Sequence, residues 1–151
     1  MTKFTLTIWV DADSCPVKEE IRSISYRQTI PVRFVASYDH YSPDLGEEWT
    51  FVEKGQDAVD LFILNHVKPG DVVVTQDLSL ASLLLERGVY VLTPRGKLIK
   101  SFEVESIMHS KYIRMKEKRR GNYGKGPAAL TRHDRMLFKE RLSDILHERG
   151  M

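Results

Sequence analysis

Five aspartates fall where a parallel sheet would present them to a ligand. Asp11 and Asp13 follow the apolar run at 4–10 (FTLTIWV), and Asp77 follows the run at 71–75 (DVVVT). Asp57 and Asp60 open the segment DAVDLFILNHV that precedes this second run. In open parallel sheets, ligands bind beyond the carboxyl ends of the strands. If these segments meet there, four or five carboxylates share one edge. Hard oxygen ligands of this kind suit Mg²⁺ or Mn²⁺. Aspartate is also a preferred helix N-cap, stabilised by the helix dipole, and that reading competes for Asp13, Asp57 and Asp77. Asp11 resists it because it ends a strand several residues before a helix. Asp60 resists it because it shares a helical stripe with Ile63, Leu64 and Val67, where an ionised carboxylate needs a partner.

The elements that must position these groups alternate. Strand patterns at 4–10, 32–36 (VRFVA), 71–75 and 89–93 (VYVLT) are interleaved with helical patterns at 16–26, 57–67 and 78–87, and a further short strand is expected at 49–53. Proline opens the first helix, and the Pro69-Gly70 and Gly88 breaks close the next two. Strands separated by helices of about a dozen residues imply βαβ units with right-handed crossovers. The expected fold class is therefore α/β, a parallel sheet of four or five strands flanked by helices. After Pro94 the texture changes to two helical segments, at 101–118 and 131–148, separated by RRGNYGKGP at 119–127. The expected organisation is a core at 1–98 and a basic helical extension at 99–151 packed on the same domain.

With 151 residues, 42% of them apolar and 29% charged, the chain resembles an ordinary one-domain globular protein and is far from the disordered regime. Its net charge of +2 conceals an asymmetry: residues 1–94 carry −6 and residues 95–151 carry +8. An acidic half that can hold cations, joined to a basic half that can hold a polyanion, points to phosphate-bearing partners. The alternative is that each charge run is simply a solvated face. The single cysteine, Cys15, excludes an internal disulfide and a multi-cysteine zinc site, and fits a reducing cytoplasm. No apolar stretch approaches the roughly 20 residues that span a bilayer, and the run at 4–10 leads into Asp11 and Asp13 rather than a cleavage site.

Rival motifs fail. No G-x-G-x-x-G follows the first strand, and GNYGKGP lacks the preceding strand and the Ser/Thr of a P-loop. The five histidines show no zinc spacing, although His40 lies in a long polar loop at 37–55. Cys15 before Pro16 reads as a buried thiol or as one activated by a helix start. Thr131-Arg132-His133-Asp134 reads as a capping box. Pro94-Arg95-Gly96-Lys97 reads as a turn whose Arg95 and Lys97 stand near the ligand edge.

Taken together, WVDADSCPVKEEI (9–21), GQDAVD (55–60), GDVVVTQDLSLASLLLERG (70–88), VLTPRGKL (91–98) and KGP (125–127) resemble the YaiI/YqxD family of bacterial proteins. That resemblance implies a relationship to PIN-like domains, three-layer metal-dependent ribonuclease folds with acidic residues at the carboxyl edge of the sheet. By similarity, Asp11 matches the first-strand acid, Thr75 with Asp77 matches a T-x-D after a later strand, and Asp60, or otherwise Asp57, matches a mid-helix acid. Where such nucleases often carry a further acid after the next strand, this chain reads Pro94-Arg95-Gly96. The basic loop reads Tyr123-Gly124-Lys125-Gly126-Pro127 instead of the expected Arg-Thr-Lys-Gly-Pro.

The leading expectation is a Mg²⁺- or Mn²⁺-dependent phosphodiesterase acting on RNA. Asp11, Asp60 and Asp77 would bind the metal, with Asp13 supporting them and Thr75 orienting Asp77 or a water. Arg95, Lys97, Arg119, Arg120 and Lys125 would hold phosphates, and Tyr123 would stack on a base. Two alternatives are a nucleic-acid-binding or regulatory module without turnover, and a phosphatase of the haloacid-dehalogenase type using Asp11 and Asp13.

Overall fold

The computed structural model describes residues 6–121 and 129–149. Its five strands are β1 (Ile8–Asp11), β2 (Val32–Ser37), β3 (Trp49–Val52), β4 (Val72–Val74) and β5 (Tyr90–Leu92). They form one parallel sheet in the order β3-β2-β1-β4-β5. The helices are α1 (Lys18–Gln28), α2 (Ala58–His66), α3 (Ala81–Glu86), α4 (Val104–Arg119) and α5 (Arg132–Arg149). Among the described residues, no helix is long and apolar enough to cross a membrane.

The apolar runs dictate this layering. β1 and β4 are buried along their whole length, as continuously apolar strands must be when both faces are covered. On one face, Ile8, Val10, Phe34 and Val74 pack with Ile21 and Ile24 of α1 and with Phe138, Leu142, Ile145 and Leu146 of α5. On the other, Trp9, Val35, Val73 and Val91 pack with Val59, Ile63 and Leu64 of α2, with Ala81 and Leu84 of α3, and with Val104 at the start of α4. Each fully buried Phe, Leu or Ile contributes about 1.5–3 kcal/mol. The side chains of α5 thus lie in the same buried cluster as β1 and α1. The rest of α4 is largely exposed, with Tyr112, Ile113 and Met115 open to solvent.

Chain order makes the crevice between β1 and β4 the place where the connections diverge. From β1 the chain runs outward to β2 and β3, then returns through α2 to β4 and β5 on the other side. Val10 is level with both Phe34 and Val74, and Val74 with Leu92, so the carboxyl ends of the central strands open together. The opposite edge is tied by Asp71, which is 1% exposed. Its carboxylate accepts from Trp9 Nε1 at 3.0 Å and from the backbone N–H groups of Thr7 and Lys68, each at 2.9 Å.

Element boundaries move for local reasons. Of the first strand expected at 4–10, residues 4 and 5 lie outside the described residues, and β1 begins at Ile8 and includes Asp11. α1 starts two residues beyond Pro16 and ends at Thr29, which adopts a left-handed conformation (φ 56°) while its N–H bonds to Ser25 O. α3 starts at Ala81 rather than 78, because Ser79 N–H and Oγ–H both donate to Asp77 Oδ1 and fold the intervening residues into a turn. The capping box of α5 forms as read: Asp134 N–H donates to Thr131 Oγ1 at 3.0 Å and Thr131 N–H donates to Asp134 Oδ2 at 2.9 Å. The turn after β5 requires its glycine. Gly96 has φ 89°, and a Cβ there would stand 3.2 Å from the backbone of Leu137 and Phe138 in α5.

Candidate functional site

Residues from β1, the start of α2, the end of β4 and α4 meet at the carboxyl edge. One carboxylate oxygen from each of Asp57, Asp60 and Asp77 lies within 4.8 Å of those of the other two. Asp60 is 5% exposed, carried inward by the same stripe that buries Val59, Ile63 and Leu64. Asp57 precedes α2 in the left-handed region (φ 59°), which Asp tolerates better than most residues. It occupies the N-cap position, yet its side chain makes no capping hydrogen bond. Asp77 sits beyond β4 in the turn that delays α3.

Asp11 stands beside this trio. It is 7% exposed, and the buried Thr75 hydroxyl lies 3.2 Å from its Oδ2 while accepting the Asp77 N–H at 3.0 Å. Thr75 therefore connects the acid of β1 to the acid beyond β4. Asp13 turns toward β2: its Oδ1 accepts Ser37 N–H at 2.9 Å and lies 2.8 Å from His40 Nδ1. The capping alternative thus fails for Asp13 and Asp57, and Asp77 closes a turn rather than capping a helix. Of the expected metal ligands, Asp60 and Asp77 come together, and the third member of the tight group is Asp57, with Asp11 adjoining.

Electrostatics separates the four. Burial, followed by the charges of Asp11 and Asp77 and a hydrogen bond shared with Asp77, pushes Asp60 up to about 8. Burial also raises Asp11 despite the Thr75 hydrogen bond, with Asp13 and Asp77 adding to the rise. Burial alone would raise Asp77 too, but hydrogen bonds from Ser79 and Asp60 and the charge of Lys111 hold it down to about 2. Without a bound cation, the cluster keeps a proton on Asp60 near neutral pH and shares it with an ionised Asp77. Like charges crowded in a low-dielectric site behave in this way.

Two contributors carried no signal in the sequence reading. Ser79 clamps Asp77, as an Asp-x-Ser turn does. Lys111 reaches from α4 to within 3.3 Å of Asp77 Oδ1 and touches Ser79 Oγ; it lies 34 positions from Asp77, and nothing local marks it. Cys15 is buried and its thiol is pushed up to about 11, chiefly by that burial, which fits the inert reading.

The basic residues are spread out. Arg95 pairs with Asp134 at 3.1 Å, Lys97 with Glu103 at 3.0 Å and Arg120 with Glu117 at 3.5 Å. Arg119 is exposed at the end of α4. Tyr123 and Lys125 lie outside the described residues.

Comparison with known proteins covers most of this chain. The sequence model described as "Uncharacterized BCR, YaiI/YqxD family" matches residues 9–148. The UPF0178 protein Lmo1456 of Listeria monocytogenes is 43% identical over 143 residues, covering 94% of this chain and 96% of its own. The UPF0178 protein Bcer98_3021 of Bacillus cytotoxicus is 45% identical over 139 residues (92% and 91%), and RBAM_023530 of Bacillus velezensis is 46% identical over 142 residues (93% and 84%). No solved structure matches. With a family match spanning both the sheet and α5, and close relatives along the same length, the chain belongs to the YaiI/YqxD family.

Proposed function

We propose that this protein is a Mg²⁺- or Mn²⁺-dependent phosphodiesterase acting on RNA. The observation that carries the reading is the convergence of Asp57, Asp60 and Asp77 within 4.8 Å at the point where the sheet's connections diverge. A buried carboxylate whose pKa stands at about 8 lacks a sufficient counter-charge, and an all-oxygen donor set fits a hard divalent ion. Asp57, Asp60 and Asp77 would hold that ion, with Asp11 beside them. When bound, such an ion activates water for in-line attack and offsets charge developing on the phosphate. Thr75 fixes the Asp11 carboxylate, Ser79 fixes Asp77, and Lys111 offers a cation to a phosphate oxygen beside the acids. Arg95, Lys97, Arg119, Arg120 and Lys125 supply positive charge for the flanking backbone, and Tyr123 supplies a ring for stacking.

The test combines Mn²⁺ calorimetry with incubation of short single-stranded RNA. Wild type should bind Mn²⁺ and cut the RNA, and Asp60→Asn should lose both. An absence of Mn²⁺ binding would overturn the reading. The non-catalytic RNA-binding reading has one observation in its favour, the Lys111 ammonium already paired with Asp77. Tight RNA binding with no product at saturating Mn²⁺ would select it.

A further inference from the structure

The segment Thr75-Gln76-Asp77 separates two places. Asp77 belongs to the acidic cluster on the side of α2 and α4. Gln76 lines a cavity of about 490 Å³ beside the starts of α1 and α5, walled by Pro16, Pro94 and Leu130, with Arg95 and Arg135 among the lining residues. We propose that this cavity is a nucleotide pocket: it takes one unstacked base of a single-stranded nucleic acid while the attached backbone passes the acidic cluster. The substrate class named here, single-stranded RNA, rests on the phosphodiesterase reading; the pocket itself does not.

Position, size and lining support the assignment. The cavity opens at the carboxyl ends of β4 and β5, where doubly wound sheets bind ligands. Its volume falls in the roughly 300–1,000 Å³ range of small-molecule sites and is larger than an inorganic anion needs. Two proline rings and a leucine offer flat apolar surface to a base, and guanidinium planes stack on bases as well as pairing with phosphate. The Gln76 amide supplies an edge contact. Its Nε2 donates to Ser14 O, which leaves Oε1 as the acceptor for a base amino group.

The arginines are held in place before any ligand arrives. Arg135 donates to Pro16 O at 2.7 Å and to Glu20 at 3.2 Å, and Arg95 pairs with Asp134 at 3.1 Å. Groups fixed in this way lose little side-chain freedom on binding.

The test uses the full chain in EDTA, titrated with AMP, UMP, ribose 5-phosphate and inorganic phosphate and followed by amide NMR shifts. A nucleoside monophosphate should bind at least about tenfold tighter than ribose 5-phosphate, the factor expected from stacking one base. Ala129→Trp, which puts a bulky ring at a residue that lines the cavity, should weaken AMP binding by about tenfold or more, and Gln76→Ala should weaken it several-fold. Equal affinity for AMP and ribose 5-phosphate, or undiminished AMP binding by both folded variants, would overturn the pocket. Mn²⁺ calorimetry on the same proteins after EDTA has been removed keeps the two readings apart. Nucleotide binding without Mn²⁺ binding sinks the phosphodiesterase and leaves the pocket; Mn²⁺ binding without nucleotide binding does the reverse.

Discussion

The Lys111 ammonium lies 3.3 Å from Asp77 Oδ1, so α4 places a cation in the acidic edge that the sheet assembles. Both side chains are more than a third exposed, and solvent screening keeps such a pair to about 0–1 kcal/mol. The same interaction bears on metal binding, because the ammonium competes for an oxygen that a divalent ion would use. Lys111→Met should leave the fold intact and tighten Mn²⁺ binding by up to about fivefold. Calorimetry showing weaker Mn²⁺ binding would mean that Lys111 supports the site rather than competing with the ion.

Asp60 gives the metal-free protein a pH signature. A carboxyl with a native pKa of about 8 keeps its proton in the folded chain after the unfolded chain has lost it. Folding therefore becomes less favourable as pH rises from about 4 to about 8, and the loss is constant above that. Asp60→Asn removes this loss. In EDTA the variant should melt higher than wild type at pH 8, by at least about 1 kcal/mol, with the advantage shrinking toward pH 4. Asp77, held at about 2, has the opposite sign: its contribution is present above about 4 and fades as pH falls toward 2. Thermal melts of the variant and wild type that run parallel from pH 4 to 8 would contradict the buried proton.

Asp57 and Asp11 compete for the role of third ligand, and their geometries differ. Asp57 shares the 4.8 Å cluster, whereas Asp11 reaches Asp77 through the Thr75 hydroxyl. Asparagine also tolerates the left-handed backbone at position 57. Asp57→Asn should weaken Mn²⁺ at least about tenfold, since the loss of even a residue that only supports a metal ligand costs that much, and Asp11→Asn should weaken it less. The reverse order by calorimetry would place the ion against β1 instead.

Much of this architecture was legible because it rests on local rules. Continuous apolar runs announced β1 and β4, Pro69-Gly70 and Gly88 marked the breaks, and Thr131 with Asp134 announced the start of α5. Asp60 could be singled out because a carboxylate on an apolar stripe conflicts with its surroundings. What stayed hidden depended on long-range assembly. For Asp57, counted among the edge carboxylates, the choice between capping and clustering shows only once its backbone is seen in the left-handed region. Asp13 looks like a cap until Ser37, at the end of β2, and His40, in the turn beyond it, are seen to claim it. Lys111 becomes visible only once α4 is laid across the edge. The carboxylate partners of Arg95 and Lys97, Asp134 and Glu103, likewise come into view only with the fold.

The basic half makes a separate prediction about RNA. Residues 95–151 carry a net charge of +8, Arg119 and Arg120 are exposed at the end of α4, and Lys125 follows them in the sequence. Binding through the backbone releases counterions, so affinity should fall with salt at a slope of roughly −0.7 per phosphate neutralised on a single strand. Replacing Arg119, Arg120 and Lys125 together by alanine should make that slope shallower by up to about two. Mn²⁺ affinity should be unchanged, since none of the three belongs to the acidic cluster. Tyr123→Ala should act differently, costing about 1–3 kcal/mol if a base stacks on the ring while leaving the slope unchanged. The measurement is a salt series with short single-stranded RNA in Ca²⁺ or EDTA, which keeps the strand intact. If wild type and the triple variant bind equally at every salt concentration, these three residues take no part in binding and the polyanion must be held by other residues.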